Sequence, residues 1–446
     1  MWIVARCRSL FATISEPYKS NGRPHEITAA NELFYQLPPD SYDVGLRVSP
    51  PLYLKMLQSV LVSIAFALEA NARVLVPELT GPHKVGTTVL ELIDHSRQDP
   101  FIPTPQSRDL VVSLFYPTDD HPKGVRNCTL APQFPPATAA ALDVFINHPG
   151  VAETIITRSC VGRPLSRPDL PLLLVSPGLG TSRLYYSDLA EEMASQGWNV
   201  VTVDHPYDSL IVEYPDGRVV FPSDSPTAPN ATLEEYLDAR VKDMIFVLDS
   251  LADPSTTSRI PGLGGAPSPY PGINSRGAPK RKLRTDKVGA FGHSFGGATA
   301  LQLLRDDKRF HVGSDLDGGV YGDVVQKGTD SPFLYLRRQN HTHVSDPTWA
   351  EAWPNLRGFK REYSINATTH ASFTDLAVFR DLVGEEALGE YGEALGDVTG
   401  SRMLAIQTAF LGALFDRFLK GHGGELLDGK GMKHWPEVTL ESQDSS

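Results

Sequence analysis

The sequence predicts an α/β architecture, a mostly parallel central sheet with helices on both faces. Three observations predict it. Short apolar runs recur along the chain, some unbroken, as in Leu172-Leu173-Leu174-Val175. Between them lie stretches with apolar residues at helical spacing. One strand-like run is joined to one helix-like run by a glycine turn, Gly292-His293-Ser294-Phe295-Gly296-Gly297. Unbroken apolar runs suit strands covered on both faces. Strands alternating with helices favour parallel pairing through crossover connections.

In chain order, Leu110–Tyr116, Leu172–Ser176, Asn199–Val203, Lys287–Phe291, Phe310–Asp317, Phe333–Leu336 and Glu362–Ile365 read as strands. Arg183–Gln196 reads as a helix that stops at Gly197. Leu233–Leu251 follows Thr232 and Glu235 at capping-box spacing, so each side chain can satisfy an end N–H. Phe295–Arg305 and Ser401–Lys420 complete the helices, the latter with Gly421 as its stop. Residues 127–170 carry helical patches at Ala137–Val144 and Val151–Thr157 and read as a cap-like segment beside the sheet. Residues 253–286, rich in Pro, Gly, Ser and basic side chains, read as an exposed loop, and the polar tail after His422 is expected to fray. Residues 73–446 read as one domain.

Composition narrows the function. The chain has 446 residues, 41% apolar and 21% charged, with 41 Lys+Arg against 53 Asp+Glu for a net charge of −12. That composition excludes fibrous and wholly disordered classes. Its acidity argues against a nucleic-acid partner, since phosphates need a basic face. The one basic run, Pro279-Lys280-Arg281-Lys282-Leu283-Arg284, reads as a solvated loop.

The N-terminal region carries a second signal. Lys55-Met56 opens an apolar run from Leu57 to Leu68, followed by Glu69-Ala70-Asn71-Ala72. A short apolar core ending in small-x-small is the pattern of a secretory leader, and the run is too short to span ~30 Å of hydrocarbon. Residues 56–72 are therefore expected to be a signal peptide and residues 1–55 a gene-model extension, with a buried helix in a retained extension as the alternative. Export agrees with an even pair, Cys128 and Cys160, after cleavage. Their bridge would close a loop worth on the order of 3 kcal/mol. The sequons at Asn127, Asn230, Asn340 and Asn366 all lie downstream and are candidate glycosylation sites. No Cys-x-x-Cys spacing supports a thiolate metal site.

The chemistry centres on Gly292-His293-Ser294-Phe295-Gly296. A strand, a tight turn and a helix would project Ser294 at the carboxyl edge of the sheet, with glycines where side chains cannot fit. Serine needs a base to take its proton and an acid to orient that base. In this order of elements the acid and then the histidine follow later strands. Asp317 ends the run Phe310–Asp317 and opens onto Gly318-Gly319, with Asp315 as the alternative acid. His370 stands in the loop after the last expected strand. His293 neighbours the serine and should point elsewhere, His205 lines the site, and His341 and His343 occupy a polar loop. An oxyanion needs preorganised N–H donors. The amides of Phe295 and of Leu179, in the loop Ser176-Pro177-Gly178-Leu179-Gly180-Thr181, are the expected pair.

These residues resemble one family, the plasma-type (isoform II) platelet-activating factor acetylhydrolases and their fungal and bacterial relatives. The resemblance runs through Gly81-Pro82-His83-Lys84-Val85-Gly86-Thr87, Leu114-Phe115-Tyr116-Pro117, Gly178-Leu179-Gly180, Gly292–Thr299 and Leu316-Asp317-Gly318. It implies an α/β-hydrolase fold and a triad of Ser294, Asp317 and His370, with oxyanion amides at Leu179 and Phe295. It further implies a calcium-independent serine esterase acting on sn-2 phospholipid esters such as 1-alkyl-2-acetylglycerophosphocholine, without metal or cofactor and with transient contact to a lipid interface. Many relatives have Ser-His-Gly where this chain has Ser176-Pro177-Gly178. The expectation is thus a secreted esterase of short-acyl esters. A polyester-cleaving esterase, an acyltransferase using the same triad and a non-catalytic binding protein on the same fold are the rivals.

Overall fold

A computed structural model describes residues 73–119, 128–146, 148–222, 231–263, 281–389, 392 and 394–443. All of these belong to one compact unit, Arg73–Ser446. The expected leader, the 1–55 extension, Asn127, Asn230 and residues 264–280 of the expected exposed loop lie outside the described residues.

The strands are β1 (Lys84–Gln98), β2 (Ser107–Thr118), β3 (Ile155–Val161), β4 (Pro171–Ser176), β5 (Asn199–Asp204), β6 (Arg284–His293), β7 (Phe310–Leu316), β8 (Phe333–Arg338), β9 (Lys360–Ile365) and β10 (Val438–Gln443). They form one sheet in the order β3-β1-β2-β5-β4-β6-β7-β8-β9-β10, with short strands beside β3. From β5 to β9 every pairing is parallel. Antiparallel pairs flank this block.

The helices that cover the sheet are α1 (Pro136–Ile146), α2 (Ser187–Ser195), α3 (Leu233–Ala252), α4 (Phe295–Asp306), α5 (Pro347–Ala352), α6 (Leu376–Val383) and α7 (Gly400–Phe415). All six residues of β4 and of β5 are buried, because a core lies on each side. Leu173 and Val175 pack in one core with Met193 of α2 and Phe410 of α7. Leu172 and Leu174 pack in the other with Met244 of α3 and Leu301 of α4. The side-chain period of two sends alternate residues to opposite helix layers. α3 begins with the expected capping box between Thr232 and Glu235.

Three expectations are corrected. Val151–Thr157 was expected as helix, but only Ala152–Thr154 makes a helical turn and the chain then extends as β3. The β-branched pair Ile155-Ile156 buries there, and Leu130–Pro132 pairs antiparallel to the same strand. The segment thus joins the sheet edge and is more than a cap. The tail does not fray throughout: β10 pairs antiparallel with β9, so β9 is not the last strand. β1 lacks an unbroken apolar run because its faces alternate at the sheet edge.

Register builds the site. Ser176 pairs with Gly292, and His293 pairs with Leu316. Leu316 pairs in turn with Leu336, and Arg338 with Ile365. The loops after β4, β6, β7, β8 and β9 therefore leave the same edge of the sheet, the place where open α/β sheets bind ligands.

Candidate active site

Ser294 stands between β6 and α4 with φ 56° and ψ −124°. This left-handed backbone is costly for a residue with a Cβ and persists only where the surroundings impose it. Here the Ser294 N–H donates to Leu316 O at 2.9 Å and its carbonyl accepts from Gly297 N–H at 2.9 Å. The turn is too tight for side chains on either flank. A Cβ on Gly292 would lie 2.3 Å from the Gly296 carbonyl carbon, and one on Gly296 would lie 1.9 Å from Ser176 O.

Asp317, first after β7, also has positive φ, 58°. Its Oδ2 accepts from His370 Nδ1 at 2.7 Å and from the Arg338 guanidinium. Its Oδ1 accepts from Arg338 N–H at 3.1 Å and from His341 Nδ1 at 2.7 Å. Burial opposes charge on Asp317, but the hydrogen bonds from His341 and His370 hold its carboxyl well below the usual carboxylate range. Asp315, the alternative acid, faces the turn, where its Oδ1 accepts from Gly318 N–H at 2.8 Å. Burial pushes its carboxyl far upward. The two carboxyls are thus shifted in opposite directions, and Asp317, the one held low, meets the histidine.

His370 opens the short helical turn His370–Phe373, which Thr369 and Ser372 cap reciprocally. Its side chain is 45% exposed while that of Asp317 is 0% exposed, so the ring has a held edge and an open one. His293 packs against it with ring centroids 4.5 Å apart. The His293 Nε2 donates to His370 O at 2.9 Å, and its Nδ1 accepts from Tyr186 O–H at 2.8 Å. Burial, with His370 beside it, pushes His293 down to about 3, which keeps it neutral.

The loop expected to hold an oxyanion lies against the serine. A Cβ on Gly178 would come within 3.3 Å of Ser294 Cβ. Gly178 N–H donates to Tyr186 Oη at 3.1 Å. Arg240 of α3, which no sequence motif marks, donates to the carbonyls of Pro177 and Gly178 and pairs with Asp208. Its guanidinium also lies 5.1 Å from the centroid of the Phe295 ring. Leu179 is partly buried, and Phe295 opens α4, a helix start where the first N–H groups lack intrahelical acceptors.

The remaining histidines separate. His205 does not line the site: it is fully buried, with Nε2 at 3.0 Å from Ser176 Oγ and Nδ1 at 3.0 Å from Asp243 Oδ2. That set has the form of a triad, yet all three residues are 0% exposed and no ester can reach them. His343 meets Glu362 at 2.6 Å and stacks on Trp353. His341 shares the loop after β8 with His343, and its contact with Asp317 has no local sequence signal that sets it apart. Among the described residues no group of three or more His, Cys, Asp or Glu could hold a metal ion. Cys128 and Cys160 are joined, with Cα atoms 5.3 Å apart. Asn340 is exposed and Asn366 half-buried.

Among solved structures, a ferulic acid esterase from Streptomyces cinnamoneus superimposes with TM-score 0.68 at 30% identity, covering 83% of this chain and 100% of that one. Fold and site together define a carboxylic ester hydrolase with the α/β-hydrolase architecture. The family model described as platelet-activating factor acetylhydrolase, isoform II, matches residues 68–218 and 277–415, and the chain belongs to that family. A protein of Arthroderma benhamiae named "Probable 1-alkyl-2-acetylglycerophosphocholine esterase" is 30% identical over 85% of this chain and 97% of its own length. The platelet-activating factor acetylhydrolase of Cavia porcellus is 23% identical over 88% of this chain and 89% of its own.

Proposed function

We propose that this chain hydrolyses short-acyl carboxylic esters through an acyl-serine intermediate, with Ser294 as nucleophile, His370 as base and Asp317 as the acid that orients it. The observation that carries the reading is the 2.7 Å bond from His370 Nδ1 to Asp317 Oδ2. It fixes the tautomer that leaves Nε2 as the proton acceptor. His370 takes the Ser294 hydroxyl proton as Oγ bonds to the acyl carbon. The amides of Leu179 and Phe295 receive the oxyanion, and His370 returns the proton to the departing alcohol oxygen. Water then enters by the same steps and releases the acid.

The substrate class we assign is 1-alkyl-2-acetylglycerophosphocholine and related sn-2 phospholipid esters, supported by the names of the fungal and guinea-pig relatives. The likeness to a ferulic acid esterase favours a second reading, aromatic esters. Secretion is part of the proposal, supported by the Cys128–Cys160 bridge and the apolar run before Glu69.

Replacing Ser294 by Ala in the exported protein tests the mechanism: turnover of p-nitrophenyl butyrate should vanish while the far-ultraviolet spectrum stays unchanged. Wild-type activity in that variant would remove the reading. A panel of 2-acetyl phospholipid, longer sn-2 acyl homologues and methyl ferulate decides the substrate class. Sequencing the N-terminus of secreted material should find a start near Arg73.

A further inference from the structure

We propose that His341 is a positioning residue, an imidazolium clamped between Asp317 and Asp346 that holds the carboxylate on which His370 depends. The inference rests on the acyl-serine reading above. Nδ1 of His341 lies 2.7 Å from Asp317 Oδ1, and Nε2 lies 2.9 Å from Asp346 Oδ2. Ionised carboxylates only accept, whereas a neutral imidazole has one N–H and one lone pair. A neutral ring would point that lone pair at one of the two carboxylates. Only the protonated ring donates to both.

The surroundings agree. The ring stacks on buried Trp349, with centroids 4.6 Å apart and planes at 27°, a face that attracts a cation. Asp346 is itself fixed, because its Oδ1 accepts from Thr348 N–H at 2.8 Å at the start of α5. The other charged or titratable groups facing the ring are Arg338, which opposes its charge, and the buried Asp315. Burial alone would lower the affinity of His341 for its proton. The hydrogen bonds to Asp317 and Asp346 outweigh burial and raise it to about 9.

The consequence falls on the base. Both oxygens of Asp317 are occupied, Oδ1 by Arg338 N–H and His341, Oδ2 by the Arg338 guanidinium and His370. The carboxylate therefore cannot rotate away from His370 without breaking charge-assisted bonds. When His341 loses its proton, one of its contacts becomes a lone pair facing a carboxylate, and the clamp opens. This predicts a fall in kcat as pH rises through about 9.

Two variants of the full chain test this against p-nitrophenyl butyrate, with the spontaneous rate subtracted. His341→Gln has one donating nitrogen in place of two, and its carbonyl oxygen cannot donate where the second one did. It should lower kcat about tenfold with KM within about twofold, and it should show no fall near pH 9. Asp346→Asn offers an amide that donates to a neutral ring, and it can still cap α5. It should keep kcat at pH 7.5 within about threefold while also losing the alkaline fall. Undiminished kcat in a folded His341→Gln protein would overturn the inference, and so would an alkaline fall that persists in Asp346→Asn. Asp346→Asn decides alone if His341→Gln does not fold. A fluorophosphonate probe separates the two levels. Labelled wild type with indifferent variants rejects the clamp only, whereas unlabelled wild type rejects the acyl-serine reading.

Discussion

His293 donates its Nε2 proton to the main-chain carbonyl of His370 at 2.9 Å, so the residue before Ser294 holds the loop that carries His370. Because a carbonyl only accepts, Nε2 must carry the proton and Nδ1 must accept, which it does from Tyr186 O–H. Tyr186 in turn accepts from Gly178 N–H. One chain of hydrogen bonds thus joins the Pro177-Gly178 loop, the serine turn and the His370 loop. Tyr186→Phe should remove its middle link, leave a buried nitrogen without a donor, and lower kcat about fivefold to tenfold with little change in KM. An unchanged kcat would show that packing alone positions these loops.

The same histidine makes a prediction about acid stability. Its affinity for protons is pushed down to about 3 in the folded chain by burial, with His370 beside it. An exposed histidine titrates near 6.5. Between these values the unfolded chain binds a proton that the folded one does not, so stability is lost as pH falls from about 6.5 toward 3. From pH 7 to pH 5 this one residue should cost about 2 kcal/mol. His293→Asn, whose amide can still donate to His370 O, should flatten that part of the dependence. Urea midpoints of both proteins at the two pH values give the measurement. Parallel pH dependences would refute the assignment.

The bridge between Cys128 and Cys160 lies at the sheet edge, where Leu130 and Cys160 are already strand partners. It spans a sequence separation of 32 residues, for which the loop-entropy model gives about 3–4 kcal/mol. The double variant Cys128→Ala, Cys160→Ala should therefore melt at lower temperature yet keep kcat at 20 °C. A loss of kcat in protein that remains folded would place this edge in functional contact with the site.

The legible parts of the sequence were those where local chemistry and fold agree. Ser294 could be placed because its glycine turn follows an unbroken apolar strand and precedes a helix. Asp317 and His370 could be placed because each follows a strand. Arg240 and His341 could not. Arg240 sits mid-helix in α3, where an arginine ordinarily faces water, and only the tertiary approach of the Pro177-Gly178 loop gives it acceptors. His341 is one of two loop histidines, and nothing local separates the one facing Asp317 from the one facing Glu362. β10 was missed for a related reason. Its mostly exposed, polar residues resemble a tail until β9 provides the partner edge. Strand identity there comes from pairing, not composition.

Arg240 makes the sharpest case for a residue that acts through the backbone. Its side chain is fully buried and donates to Pro177 O, to Gly178 O at 3.1 Å, and to both oxygens of Asp208. Asp208 reaches back to the same loop, accepting from Gly180 N–H at 3.4 Å. Carbonyls pinned inward by Arg240 constrain the peptide planes of the loop, and those planes set where the Leu179 N–H points. A lysine carries the charge but not the planar fork, so Arg240→Lys should fold, with kcat lowered about tenfold to a hundredfold and KM changed much less. Arg240→Met removes the charge and leaves Asp208 buried without its partner, which should cost about 3–5 kcal/mol of stability. If the lysine variant kept wild-type kcat, the planar fork would be dispensable and the contacts of the loop to Tyr186, Thr181 and Asp208 would suffice to hold it.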